Sequence, residues 1–85
     1  MNFQLFQGGF STIDAIELLS KMIEVKINFH EGKINEITSE EDIKFRENKI
    51  KKLQNDLAEL KKLLALPNTR MVNIQAEIEV DVVEH

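Results

Sequence analysis

Cysteine is absent from this chain, so disulfide bonds, thiolate metal ligands and cysteine nucleophiles are excluded. Tryptophan and tyrosine are also absent, and the 85 residues include a single proline and three glycines. No apolar run approaches the roughly 20 residues that span a bilayer, and the first residues lack the basic and apolar segments of a secretion signal. From these absences we expect a cytoplasmic protein with no membrane contact.

Neither sign of charge dominates the chain. The chain contains eleven Lys and Arg residues and fifteen Asp and Glu residues, which give a net charge of −4. A negative net charge disfavours binding to the phosphates of nucleic acid. The 42% of apolar residues can supply the core of one small domain, which we expect to cover residues 1–85. A chain of this length buries only about 60% of its unfolded surface, and a helical hairpin buries less, so we expect self-association.

The first ten residues carry no charged side chain and predict a short strand or arm. Asn2–Phe6 alternates polar and apolar residues, as a half-buried strand does, whereas Gly8 and Gly9 are expected to interrupt it as a hinge or turn. Ser11 and Asp14 have the spacing of a capping box. The sequence therefore predicts that a helix begins next to Ser11.

Apolar residues recur at three- and four-residue spacing from Ile13 onward, which predicts a long amphipathic helix. A competing pattern lies in the same region, because residues 23–30 alternate strictly and Gly32 could form a hairpin turn. The longer stripe favours the helix, which is expected to end at Gly32 or in the polar stretch 35–39. The main stripe of this helix consists of Ile13, Ile16, Ser20, Ile23, Ile27, His30, Ile34 and Ile37.

A second apolar stripe lies beside the first on the same predicted helix. One partner helix covers only one of two adjacent stripes, so the second is expected to lie in a subunit interface. The simplest closed arrangement is a dimer with a four-helix core. The predicted oligomer interface consists of Leu18, Met22, Val25 and Phe29.

The second helix has the clearest boundaries in the sequence. Thr38 and Ser39 precede three consecutive acidic residues, which is typical of a helix N-terminus, and Pro67 requires the helix to end before it. The apolar stripe between them has a heptad-like spacing and predicts an antiparallel coiled-coil hairpin with the first helix. This stripe consists of Ile43, Arg46, Ile50, Leu53, Leu57, Leu60 and Leu64.

Residues 72–82 change to a strict two-residue alternation, which predicts a long half-buried strand with an acidic outer face. The predicted fold is therefore α+β and mainly α: an antiparallel helical hairpin (residues 11–66) between a short N-terminal strand (1–10) and a longer C-terminal strand (67–85), in the order β-α-α-β. A lone ribbon is marginally stable, so the terminal strands are expected to pair with each other or across subunits.

No pattern in the chain predicts a catalytic, cofactor-binding or metal-binding site. His30 is the only internal histidine, because His85 is the last residue, and Ile34 stands where a helical zinc-protease motif requires a second histidine. The acidic groups at 40–42 and 77–81 lack the spacing of a calcium loop. We therefore predict no enzyme activity, no cofactor and no metal ion.

His30 and Arg46 are the strongly polar residues of the two main stripes, and both fall near the loop end of the hairpin. One interpretation is a polar site for an anion or partner, built from a guanidinium and a titratable imidazole. The alternative, which we favour, is that the seam opens to solvent there. Both side chains would then reach water or an acid such as Glu31 or Asp42.

The function predicted from these features is that of a small non-enzymatic protein-interaction or assembly module. It would act as a homo-oligomeric scaffold or adaptor, with a second copy of itself or another protein as its partner. The alternative is a nucleic-acid-associated regulator that uses Lys49, Lys51 and Lys52 of the second helix. Nucleic acid is the less favoured partner, because residues 40–64 contain seven basic and six acidic residues.

Overall fold

The computed structural model of the chain describes residues 1–36 and 39–84. Within these ranges the chain forms two helices and two strands. The roles predicted for Ile37 in the first stripe and for Thr38 in the helix start, and the terminal position of His85, lie outside the described residues.

The elements follow one another as strand, helix, helix, strand, which confirms the mainly helical α+β class and the order β-α-α-β. The two strands pair antiparallel with each other, so the terminal strands of one chain meet in its own sheet. The bounds of the elements are β1 Asn2–Ser11, α1 Thr12–Glu36, α2 Glu40–Leu64 and β2 Met71–Glu79.

Pairing across the sheet places apolar residues of both strands on one face. Phe6 lies opposite Ala76, and directly opposite residues of an antiparallel pair share a face. The other face carries polar pairs such as Gln7 with Gln75. The register shifts by one residue between Gln4 and Phe6, so β1 is locally bulged there.

The expectation that Gly8 and Gly9 interrupt the strand is wrong, because β1 continues through both. They pair with Ile74 and Asn73 of β2, and this pairing outweighs the entropy that glycine costs in a strand. Gly8 has a φ of 129°, which residues with a side chain rarely adopt. Glycine at this position therefore permits the strand rather than ending it.

Helix α1 begins directly after Ser11, as predicted. The Ser11 hydroxyl accepts a hydrogen bond from the backbone N–H of Asp14 at 3.1 Å, which satisfies one of the free amides of the first turn. Residues 23–30 are helical, so the competing strand interpretation is wrong. The helix continues through Gly32 and ends at Glu36, in the second of the two expected places.

Helix α2 begins after Ser39 and ends at Leu64, before Pro67, as predicted. Ser39 occupies the N-cap position, but its side chain makes no capping hydrogen bond. All seven members of the predicted α2 stripe are buried or half-buried, and α2 packs along α1. In the α1 stripe, Ile13 departs from the prediction because it is largely exposed.

Strand β2 is shorter than predicted and ends at Glu79 rather than at Val82. Its pairing partner begins at Asn2, and two further hydrogen bonds join Met1 to Val80. The Val80 N–H donates to the Met1 carbonyl at 2.7 Å, and the Met1 amino group donates to the Val80 carbonyl at 2.8 Å. The alternation of the sequence continues beyond this point, but no strand lies opposite, and Val82 is 89% exposed.

The described residues form a flat body that encloses almost no core. The Cα atoms extend over 48 × 30 × 14 Å, so the body is much thinner than it is long or wide. The radius of gyration is 16.0 Å, against about 12 Å for a compact domain of this length. Ala15 and Leu64 are the only apolar side chains of the described residues that are buried.

Candidate interaction surface

The second stripe of α1, which the sequence placed in a subunit interface, lies on the surface of the chain. Leu18 is half-buried, whereas Met22, Val25 and Phe29 are 36%, 69% and 56% exposed. Single exposed apolar side chains are common, but a continuous row of them indicates an interaction site. This row is the first component of the candidate site.

Strand β1 extends the row into a groove. Phe6 lines an open groove of about 330 Å³ together with Leu18, Met22 and Val25, and Lys21 is its only charged lining residue. The groove therefore joins the apolar face of the sheet to the exposed stripe of α1. We call the surface formed by Phe6, Leu18, Met22 and Val25 the apolar groove.

Phe6 was missed by sequence reasoning because its face depends on the bulge in β1. Strict alternation would place Phe6 on the face opposite to Phe3, but the register shift after Gln4 brings both to the apolar face. The Phe6 ring packs edge-to-face against Phe10, with ring centroids 6.0 Å apart. The signals in the sequence for this strand were its lack of charged side chains and the alternation over Asn2–Phe6, and neither of them assigned Phe6 to a face.

The structure also brings His30 and Arg46 into contact. Arg46 Nη1 and His30 Nδ1 are 2.9 Å apart. A guanidinium is always protonated and offers no acceptor, so Nδ1 accepts this hydrogen bond and the ring proton lies on Nε2. His30 is only 8% exposed. The sequence suggested that the His30 side chain reaches water or an acid. In the structure His30 is instead buried and hydrogen-bonded to Arg46.

The surroundings of His30 favour its neutral form. Burial lowers the pKa of His30 from its usual 6.5, and the positive charges of Arg46, Lys26 and Lys49 lower it further. The Nε2 atom is buried and has no hydrogen-bond partner within the described residues. At neutral pH the imidazole is thus an uncharged acceptor for Arg46.

Phe29 connects this polar pair to the exposed stripe of α1. The Phe29 ring centroid lies 5.7 Å from that of His30 and 5.7 Å from Cζ of Arg46. Lys33 Nζ approaches the same ring at 5.7 Å. Contacts between a cation and an aromatic face contribute about 0.5–1 kcal/mol at exposed sites, so they orient the half-exposed Phe29 ring.

Lysines from both helices converge beside His30. Lys26 of α1 and Lys49 and Lys52 of α2 line one pocket of about 210 Å³ with the imidazole. Asp56 lines the same pocket, and its carboxylate lies 3.1 Å from Lys52 Nζ. The pocket is therefore positively charged overall, with one of its lysines paired.

The described part of the chain contains no group of three His, Asp or Glu side chains placed as metal ligands would be. None of its helices combines the length and hydrophobicity needed to cross a membrane. The chain matches no protein-family model, and neither a characterised protein nor a solved structure is significantly similar to it.

Proposed function

We propose that this chain is a small non-enzymatic protein-interaction or assembly module that acts as a homo-oligomer, in its simplest form a dimer. The observation that carries this proposal is the apolar groove on a body with almost no core. Apolar surface that cannot be buried within one chain is buried by association. The second stripe of α1 and Phe6 form the proposed interface.

The extent of exposed surface supports self-association. The chain exposes 6995 Å², whereas a compact monomer of its mass exposes about 5,200 Å². The excess of about 1,800 Å² is larger than the ~800 Å² that each partner buries in a standard interface. An interface of ordinary size therefore fits on this chain and would bury less than half of this excess.

A second copy is the occupant that this surface favours. A two-fold dimer places the same patch on both sides, so the patch must complement itself. A nearly uncharged apolar stripe meets this condition, because identical stripes bury each other without opposing like charges. Two copies joined along α1 would form the four-helix core expected from the sequence.

Light scattering of the purified chain at tens of micromolar tests the proposal. We expect a dimer whose dissociation constant rises at least about tenfold in Phe29→Ala, because a buried aromatic ring is a typical hot spot of an interface.

Phe45→Ala is the matched control for this experiment. Phe45 is also a half-exposed phenylalanine, at 59%, and it also carries a cation, with Lys49 Nζ 5.1 Å from its ring. It lies on α2, outside the second stripe of α1, so its removal should leave the dimer intact. A monomeric wild-type chain, or equal effects of the two substitutions, would contradict the proposed interface.

The convergence of Lys26, Lys49 and Lys52 favours a second candidate, a nucleic-acid-associated regulator. Phosphates could be bound by the unpaired charge of this pocket, although the net charge of −4 opposes them. Electrophoretic mobility shifts of DNA and RNA at two salt concentrations separate the candidates. Binding that weakens steeply with salt, and that is lost on replacing Lys26 and Lys49 with Gln, would support the second candidate.

A further inference from the structure

Among residues 1–36 and 39–84 the sheet has two strands, so each strand has one edge without a partner there. Within the described residues, the backbone of β1 makes no hydrogen bond outside its pairing with β2. A row of free N–H and C=O groups on such an edge is a template for another strand. A two-stranded ribbon is also marginally stable in water, so added strands would stabilise it.

The two edges differ in charge. None of the ten residues of β1 has a charged side chain or is proline, whereas β2 contains Glu77 and Glu79 and is followed by Asp81. Charged side chains and proline are the usual means by which proteins protect a sheet edge against pairing. Two β2 strands brought together would also place like charges near one another. The edge of β1 therefore lacks both of these protections, and its one irregularity is the bulge between Gln4 and Phe6.

We propose that two copies of this chain pair antiparallel through their β1 edges and form one four-stranded sheet in the order β2-β1-β1-β2. This inference rests on the proposed homo-oligomeric function and specifies how the copies meet. The occupant is a second copy because an uncharged edge is complementary to itself across a two-fold axis.

The apolar groove is consistent with this arrangement. The two-fold axis of an antiparallel pair is perpendicular to the sheet, so the apolar faces of both copies point to the same side. Phe6 lies on this face and lines the groove with Leu18, Met22 and Val25. The two α1 helices therefore lie on the same side of the joined sheet, so edge pairing and burial of the α1 stripes are compatible in one dimer.

The absence of native cysteine makes single labelling sites unambiguous. Gln7 and Gln75 lie directly opposite each other in the sheet, and both are exposed. Gln7→Cys and Gln75→Cys are therefore matched positions on β1 and β2. Each variant is given a nitroxide label, and the distance between the two labels of the dimer is measured by electron paramagnetic resonance.

In the proposed sheet the β1 strands are adjacent and the β2 strands are outermost. The Gln7 labels should therefore be closer than the Gln75 labels by about two strand spacings, roughly 10 Å. This order does not depend on the register of the β1 pair. Circular dichroism and light scattering of each labelled variant establish that the fold and the dimer are retained, and Gln4→Cys with Glu77→Cys is a second matched pair.

A dimer in which the Gln75 labels are as close as the Gln7 labels, or closer, overturns the β1 pairing and leaves the proposed homo-oligomer standing. A chain that light scattering finds monomeric removes the proposed function and this inference together. A dimer that is sensitive to Phe29→Ala but has both label pairs equally far apart assigns the whole interface to the helices and rejects the sheet.

Discussion

At the scale of single residues, the pair His30 and Arg46 shows how a polar contact is accommodated between two apolar stripes. A buried imidazole next to a guanidinium and two lysines is tolerated because it is neutral and accepts a hydrogen bond through Nδ1. The residue types could be read from the sequence, but their contact could not. Which turn of α1 faces Arg46 depends on how the two helices are aligned.

The lowered pKa of His30 makes stability depend on pH. In the unfolded chain the pKa returns to about 6.5, so the unfolded state binds a proton more readily than the folded state does. The stabilising contribution of neutral His30 is therefore complete above pH ~6.5 and is lost as the pH falls through the lowered folded-state pKa. We expect the Tm of the wild-type chain to be lower at pH 5 than at pH 7.5.

The control for this prediction is His30→Gln, which keeps an acceptor for Arg46 but does not titrate. Its Tm, measured by circular dichroism, should change less between the two pH values than that of the wild-type chain. Equal changes in both proteins would show that other groups cause the pH dependence.

At the scale of the elements, the two helices begin at serines that have different roles. The Ser11 hydroxyl accepts a hydrogen bond from the Asp14 N–H, whereas Ser39 makes no capping bond through its side chain. In α2 the acidic residues Glu40, Glu41 and Asp42 occupy the first turn and interact favourably with the helix dipole. Both starts were predicted, but the sequence did not distinguish how each is stabilised.

This difference predicts unequal effects of the same substitution. Ser11→Ala should lower the free energy of unfolding by about 1 kcal/mol, because the first turn of α1 loses its side-chain acceptor. Ser39→Ala should change it by no more than a few tenths of a kcal/mol. Urea denaturation of both variants measures the effect, and similar losses at the two positions would refute the distinction.

At the scale of the whole molecule, a flat body whose described residues bury almost no side chain has little interior to stabilise it. A chain of this kind gains stability from the surface that it buries with a partner, so folding and association are expected to be coupled. The exposed stripe of α1 and the free edge of β1 lie next to the same groove, so one compact dimer would bury both.

Coupling between folding and association predicts that the Tm depends on protein concentration. We expect the wild-type Tm to rise by several degrees between about 1 and about 100 µM, because mass action stabilises the associated state. Phe29→Ala should reduce this dependence and Phe45→Ala should not. A Tm that is independent of concentration over this range would show that the flat monomer is stable alone.

The sequence by itself determined the type and order of the elements. The period of the apolar residues changes from two to about 3.6 and back, and Ser11, the acidic run after Ser39 and Pro67 limit the helices, so these features are local properties of the chain. It also identified the second stripe of α1 as a row of apolar residues beside the stripe that packs along α2.

Only the tertiary structure decided what depends on residues far apart in the chain. Gly8 remains in a strand because Ile74 lies opposite it, Phe6 faces the groove because the sheet register shifts, and β2 ends where its partner strand begins. Local pattern is set by neighbours along the chain, whereas pairing, register and contact are set by which distant segments meet. The sequence alone does not show which distant segments pair, so it contains no signal for their register or their contacts.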